Sequence, residues 1–170
     1  MNDAPGSSPT SAPGGGGDWV EQLMRSFRDQ LVGGLYEGIY ALEGAPLRRV
    51  MDAQAETCVH AFLALADIPP DLDFDAFLQR MKTSGPSQIR LEAISDDELL
   101  WTELHHGECV CPHVRQNVIR LDPKLCLCGE TWVRLLVERH ARRHADVSLV
   151  ESVATGAANC VYRIRLADPL

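Results

Sequence analysis

The chain is predicted to be an α+β domain, with N-terminal helices packed on an antiparallel sheet of about four strands and one long helix between two hairpins. Three observations predict this. Apolar residues recur at helical spacing through the first half, and from Ile89 the period falls to two. Apolar residues make up 45% of 170 residues, enough for one proper core. Turn signals divide the second half into strand, strand, helix, strand and strand.

Residues 1–17, MNDAPGSSPTSAPGGGG, are almost all Pro, Gly, Ser, Thr and Ala and read as a flexible tail. The domain is expected over residues 18–170, helical over 18–84 and cysteine-rich sheet over 85–168. Asp18 and Glu21 resemble a capping box. Trp19, Leu23, Phe27 and Leu31 then repeat at helical spacing, and the helix can run on through Leu35 and Ile39 although Gly33, Gly34 and Gly38 weaken it. Pro46 opens a second helix with a stripe of Leu47, Val50, Met51, Ala55, Cys58, Phe62 and Leu65. A short third helix is expected over 73–82 on Phe74, Phe77, Leu78 and Met81, and Gly85-Pro86 ends the helical part.

Ile89, Leu91 and Ala93 alternate with Arg90 and Glu92 in a strand pattern. Ser95-Asp96-Asp97 turns the chain into a second strand over 99–105. A helix is expected over 130–144, a strand over 146–153, a turn with Gly156, and a last strand on Cys160, Tyr162, Ile164 and Leu166.

The net charge of −8 argues against nucleic acid as a partner and gives no attraction to anionic membranes. The N-terminus lacks the basic start and apolar core of a signal peptide, so the expected location is cytoplasmic. Six cysteines in a reducing compartment point to metal ligation or redox chemistry before structural disulfides.

The strongest chemical signal is Cys109-Val110-Cys111-Pro112-His113 followed by Cys126-Leu127-Cys128-Gly129. In an extended segment residues two apart share a face, so each pair can offer two thiolates to one tetrahedral Zn²⁺. Cys160 is the substitute for one of the four. A redox switch and plain burial remain alternatives. Cys58 reads as core on its helix stripe. His105, His106 and His113 read as solvated residues beside the first pair, and His140 with His144 as an exposed basic helix end favourable to the dipole. No phosphate loop, dinucleotide fingerprint, nucleophile elbow or EF-hand is present.

Leu121-Asp122-Pro123, Cys126 and Cys128, the helix through Trp132, and Val150-Glu151-Ser152…Gly156…Cys160-Val161-Tyr162-Arg163-Ile164 resemble the 4-vinyl reductase (hydrocarbon-binding) domain superfamily over about residues 85–168. The ending is similar to that of thiazoline-carboxylate hydrolases. The resemblance implies a small α+β domain with a cysteine-bound zinc near a pocket for an apolar or aromatic molecule. Ser152 stands where sensor members carry another cysteine. The function expected is a zinc-stabilised module for an apolar or aromatic ligand, with Trp101, Trp132, Phe62 and Tyr162 as pocket candidates and a homodimer as an open option. A hydrolase or lyase for a small heterocycle or thiol compound, and a thiol redox switch, are the alternatives.

Overall fold

The structure, a computed structural model, describes residues 18–84 and 88–169. The tail and the Gly85-Pro86 stop lie outside the described residues. Helices α1 (Asp18–Tyr40), α2 (Gly44–Leu65) and α3 (Phe74–Ser84) lead into strands β1 (Gln88–Ser95) and β2 (Glu98–Leu104). A short helix, α4 (Pro112–Arg115), and a 3-10 turn at Pro123–Leu125 precede the long helix α5 (Cys126–Ala141). Strands β3 (Arg143–Glu151) and β4 (Cys160–Pro169) close the chain. The four strands form one antiparallel sheet in the order β1-β2-β4-β3. The α+β expectation holds, with α5 between two hairpins.

The sheet is amphipathic because its period is two. Trp101, Tyr162 and Ile164 are buried beneath the helices, while Arg163 and Arg165 face outward and pair with Glu98. Trp101 sits opposite Tyr162 across the β2–β4 ladder, and Val147 opposite Ile164 across β3–β4. Val59 and Leu63 of α2, Phe77 and Met81 of α3, and Val133, Leu136 and Val137 of α5 complete this core. A second apolar cluster joins Tyr36 and Tyr40 of α1 to Leu47 and Met51 of α2, Ile119 and Leu125.

α1 is a single helix through Gly33, Gly34 and Gly38. Its packing overrides the propensity cost at Gly33, where a Cβ would lie 2.8 Å from the Val118 carbonyl oxygen. The end of α1 is tied down by Lys124, whose Nζ donates to the carbonyls of Tyr40 at 2.7 Å and Leu42 at 3.0 Å. α5 starts four residues before its expected position and ends three before it, at Arg142, which takes a left-handed φ of 53°. His144 therefore belongs to β3, and the His140/His144 pair is not one helix face.

Candidate functional site

Two places in the fold carry polar chemistry inside an apolar setting. The first is the cysteine region, where the β2 exit, the start of α5 and the start of β4 meet. Cys126 occupies the first helical position of α5 and its sulfur lies 2.9 Å from the Ser152 hydroxyl. Ser152 is buried and accepts from the Ala154 backbone N–H at 3.0 Å, which holds the turn before β4. Cys160 opposes Glu103 in the ladder. His105, expected as a solvated strand end, is instead buried: its side chain is 1% exposed and Nε2 lies 2.9 Å from the Glu103 carboxylate. Its backbone N–H donates to Asn159 Oδ1 at 3.0 Å. Nδ1 has no hydrogen-bond partner of ordinary geometry, and the Cys160 thiol lies against the ring. Burial pulls the imidazole pKa down, but Cys160 and Glu103 outweigh it and the value rises to about 9.

The two C-x-C pairs do not each present one face. Cys126 and Cys128 lie in the first turn of α5, and residues two apart on a helix point in different directions. Cys126 turns to Ser152, whereas Cys128 turns to Cys58 of α2. Cys111 packs with Cys128 in the α1–α2 cluster, while Cys109 shares the field of Cys160 and Cys126 as well as that of its neighbour Cys111. Burial pushes Cys109 up to about 11 and raises Cys111 and Cys126. Cys58 and Cys128 act on each other: Cys128 lowers the Cys58 pKa, and Cys58 together with burial raises that of Cys128. Gln54 Nε2 donates to the Cys58 sulfur at 3.2 Å. Cys58, expected to be plain core, is thus half-buried and hydrogen-bonded. All six thiols are free, and among the described residues no three His, Cys, Asp or Glu side chains are arranged to hold a metal ion.

The second place lies in the main core around Phe77. His140, expected on an exposed basic helix end, is 4% exposed. Its ring stacks on Phe77 with centroids 4.1 Å apart and planes 9° apart. Nδ1 lies 2.9 Å from the Leu72 carbonyl oxygen, which can only accept, so Nδ1 carries the proton. Nε2 is then a lone-pair acceptor, and it has no partner. Burial lowers the pKa, and Arg139 and Arg142 lower it further, so the ring is neutral at physiological pH. The Trp101 ring stands 6.5 Å from that of Phe77, fully buried, with its Nε1–H also unpartnered. Trp101 was legible as an aromatic candidate. His140 was not, because its neighbours Arg139, Arg142 and Arg143 suggested a solvated helix end. Phe62 and Trp132 meet edge to face at 5.3 Å and support the same core from the α2–α5 side. An open hollow lined by Leu72, Ala76 and Arg80 lies beside α3, sharing Leu72 with the His140 contact.

No family model matches the sequence, and no curated protein matches it. Several solved structures share the fold. One is trafficking protein particle complex subunit 3 from Naegleria fowleri, solved covalently bound to palmitic acid, with a TM-score of 0.51 and 11% identity over 85% of this chain and 98% of that one. Another is an H-NOX protein from S. oneidensis in the Fe(II)NO ligation state, with a TM-score of 0.51 and 13% identity over 85% of this chain and 76% of that one. No helix among the described residues is long and apolar enough to cross a membrane.

Proposed function

We propose that this chain is a small-molecule-binding domain whose ligand has an apolar or aromatic body and one hydroxyl group, held in the core beside Phe77. The observation that carries this is the pair of unpartnered nitrogens. Trp101 Nε1–H is a donor without an acceptor, and His140 Nε2 an acceptor without a donor. Leaving a buried polar group unpaired costs about 1–3 kcal/mol. A hydroxyl both accepts and donates, so a ligand that carries one can satisfy the indole N–H or the imidazole nitrogen. The surrounding side chains are apolar, which suits the body of such a ligand. Entry requires Phe77 to move, and the hollow along α3 offers the approach. The two structural neighbours, solved with a fatty acid and with a Fe(II)NO group, support a ligand-holding use of this fold, as does the resemblance to the 4-vinyl reductase domains.

Calorimetric titration with p-cresol and with toluene tests this reading. The two differ by one hydroxyl. We expect p-cresol to bind at least about tenfold more tightly, a difference of about 1.4 kcal/mol. Trp101→Phe should erase most of that preference and leave toluene binding little changed. Equal affinities for the two probes, or no binding of either, would refute the proposal.

The same reading includes a structural zinc ion in the cysteine region. Cys109, Cys126 and Cys160 share one electrostatic neighbourhood from the loop after β2, the start of α5 and the start of β4, with Cys111, Cys128 and His105 near them. Their side chains would have to turn to a common point, and Cys126 would have to leave Ser152. Bound zinc would hold the start of α5 to β4 and to the segment after β2. Elemental analysis of protein purified under reducing conditions should find about one zinc per chain. Cys126→Ser should lose it, and Cys58→Ser should keep it. Because thiolates bind metal in competition with protons, acidification should release the ion.

A further inference from the structure

Helix α1 carries two apolar faces. Its last turns bury Val32, Tyr36, Ile39 and Tyr40 against the domain. On the opposite side Trp19, Leu23, Met24, Phe27, Leu31 and Leu35 form a second stripe at spacings of three and four. This stripe lies in solvent, with Trp19 61%, Phe27 63% and Leu35 59% exposed. Every residue from Asp18 to Arg28 is exposed, so the first half of α1 stands clear of the domain. The stripe offers on the order of 800 Å² of apolar surface, which is one full side of a standard protein interface. It exceeds the largest apolar patch of ordinary monomers, roughly 300–600 Å². A free helical segment of this length is also only marginally stable in water without a partner.

We infer that this face is the interface between two copies of the chain, whose α1 helices pack antiparallel. Charge placement selects the orientation. Glu21 and Arg28 lie on one flank of the stripe, seven positions apart. When two stripes cross antiparallel near Met24, the Glu21 of each copy meets the Arg28 of the other, twice over. In a parallel pair that flank meets the uncharged flank of Ser26 and Gln30. Within one chain Glu21 pairs with Arg25, and Arg28 with Asp29, all in exposed positions where exchange of partners costs little. The chain's own N-terminal segment does not suit the stripe, since residues 1–17 contain one large apolar side chain, Met1. Gly34 and Gly38 continue the stripe with open space around them, so the helices can approach closely there.

Sedimentation equilibrium on the full chain tests the interface. At about 50 μM the wild type should weigh twice its chain mass of 18.7 kDa. Phe27→Glu should sediment as a monomer whose domain still unfolds cooperatively, losing at most the far-UV helical signal of the first turns of α1, since Phe27 touches none of the domain core. Glu21→Arg should weaken the dimer at least about threefold, and adding Arg28→Glu should restore it. A monomeric wild type would overturn the inference, including one that instead floats with anionic phospholipid vesicles. A Phe27→Glu variant that stays dimeric, or a charge exchange that restores nothing, would overturn it equally.

Discussion

At the scale of single residues, the fold places ionisable groups where burial and partners decide their charge. His105 and Glu103 are the clearest pair, 2.9 Å apart with both side chains buried. The imidazole pKa rises from 6.5 to about 9 in the folded chain. A raised folded value means that the stabilisation is fully present below about pH 6.5 and is lost as pH climbs through about 9. Chelator-treated protein should therefore lose about 3 kcal/mol of stability across that window, measured by urea unfolding. His105→Gln should flatten the profile; an unchanged slope would remove the pairing as its cause. This pair was not legible beforehand, because a histidine at a strand end beside Gly107 reads as solvated. What buries it is the opposing start of β4, a long-range register that no local pattern encodes. His140 was missed for a related reason. Its arginine neighbours dominate the local pattern, while the contact that buries it comes from Leu72 and Phe77 on other elements.

Among the elements, α5 organises the molecule. It packs on α2 and β3, and Glu130 in its second turn joins all three. One carboxylate oxygen takes Arg48 Nη1 of α2 at 2.7 Å, and the other accepts the Leu149 backbone N–H of β3 at 2.9 Å. Glu130→Ala should cost about 2 kcal/mol by leaving that N–H unpaired and breaking a half-buried ion pair. Glu130→Gln should recover part of the loss, since its carbonyl can still accept from Leu149. Equal destabilisation by the two variants would count against this account. The start of α5 also explains why the cysteine spacing was read as extended. Nothing in Leu125-Cys126-Leu127-Cys128-Gly129 is a strong helix former apart from leucine, and Gly129 suggested a turn. In the structure Gly129 sits within the helix because the Tyr162 hydroxyl occupies the space where a Cβ would be. The helix periods of α1, α2 and α3 and the alternation of β1 and β4 were legible because one face of each is consistently apolar. Their bounds shifted by a few residues, where caps and tertiary bonds such as those of Lys124 set the ends.

For the whole molecule, the account is an α+β domain, helices on a sheet, with a core whose polar groups are not all satisfied. The apolar layer between sheet and helices is continuous, yet it holds a buried donor and a buried acceptor whose rings both lie beside Phe77. The layer architecture was legible from periodicity, and so was the aromatic content of the core. The polar pair was not, because it arises only when β2 and α5 are both brought against one α3 side chain. The most direct measurement is the indole N–H resonance of Trp101 during a p-cresol titration in ¹⁵N-labelled protein. Three tryptophans give three such signals, and Trp101→Phe assigns the one concerned. The account predicts that the Trp101 signal moves with p-cresol and saturates with it, while toluene moves it far less. Movement confined to the Trp19 or Trp132 signals, or identical shifts with both probes, would contradict it.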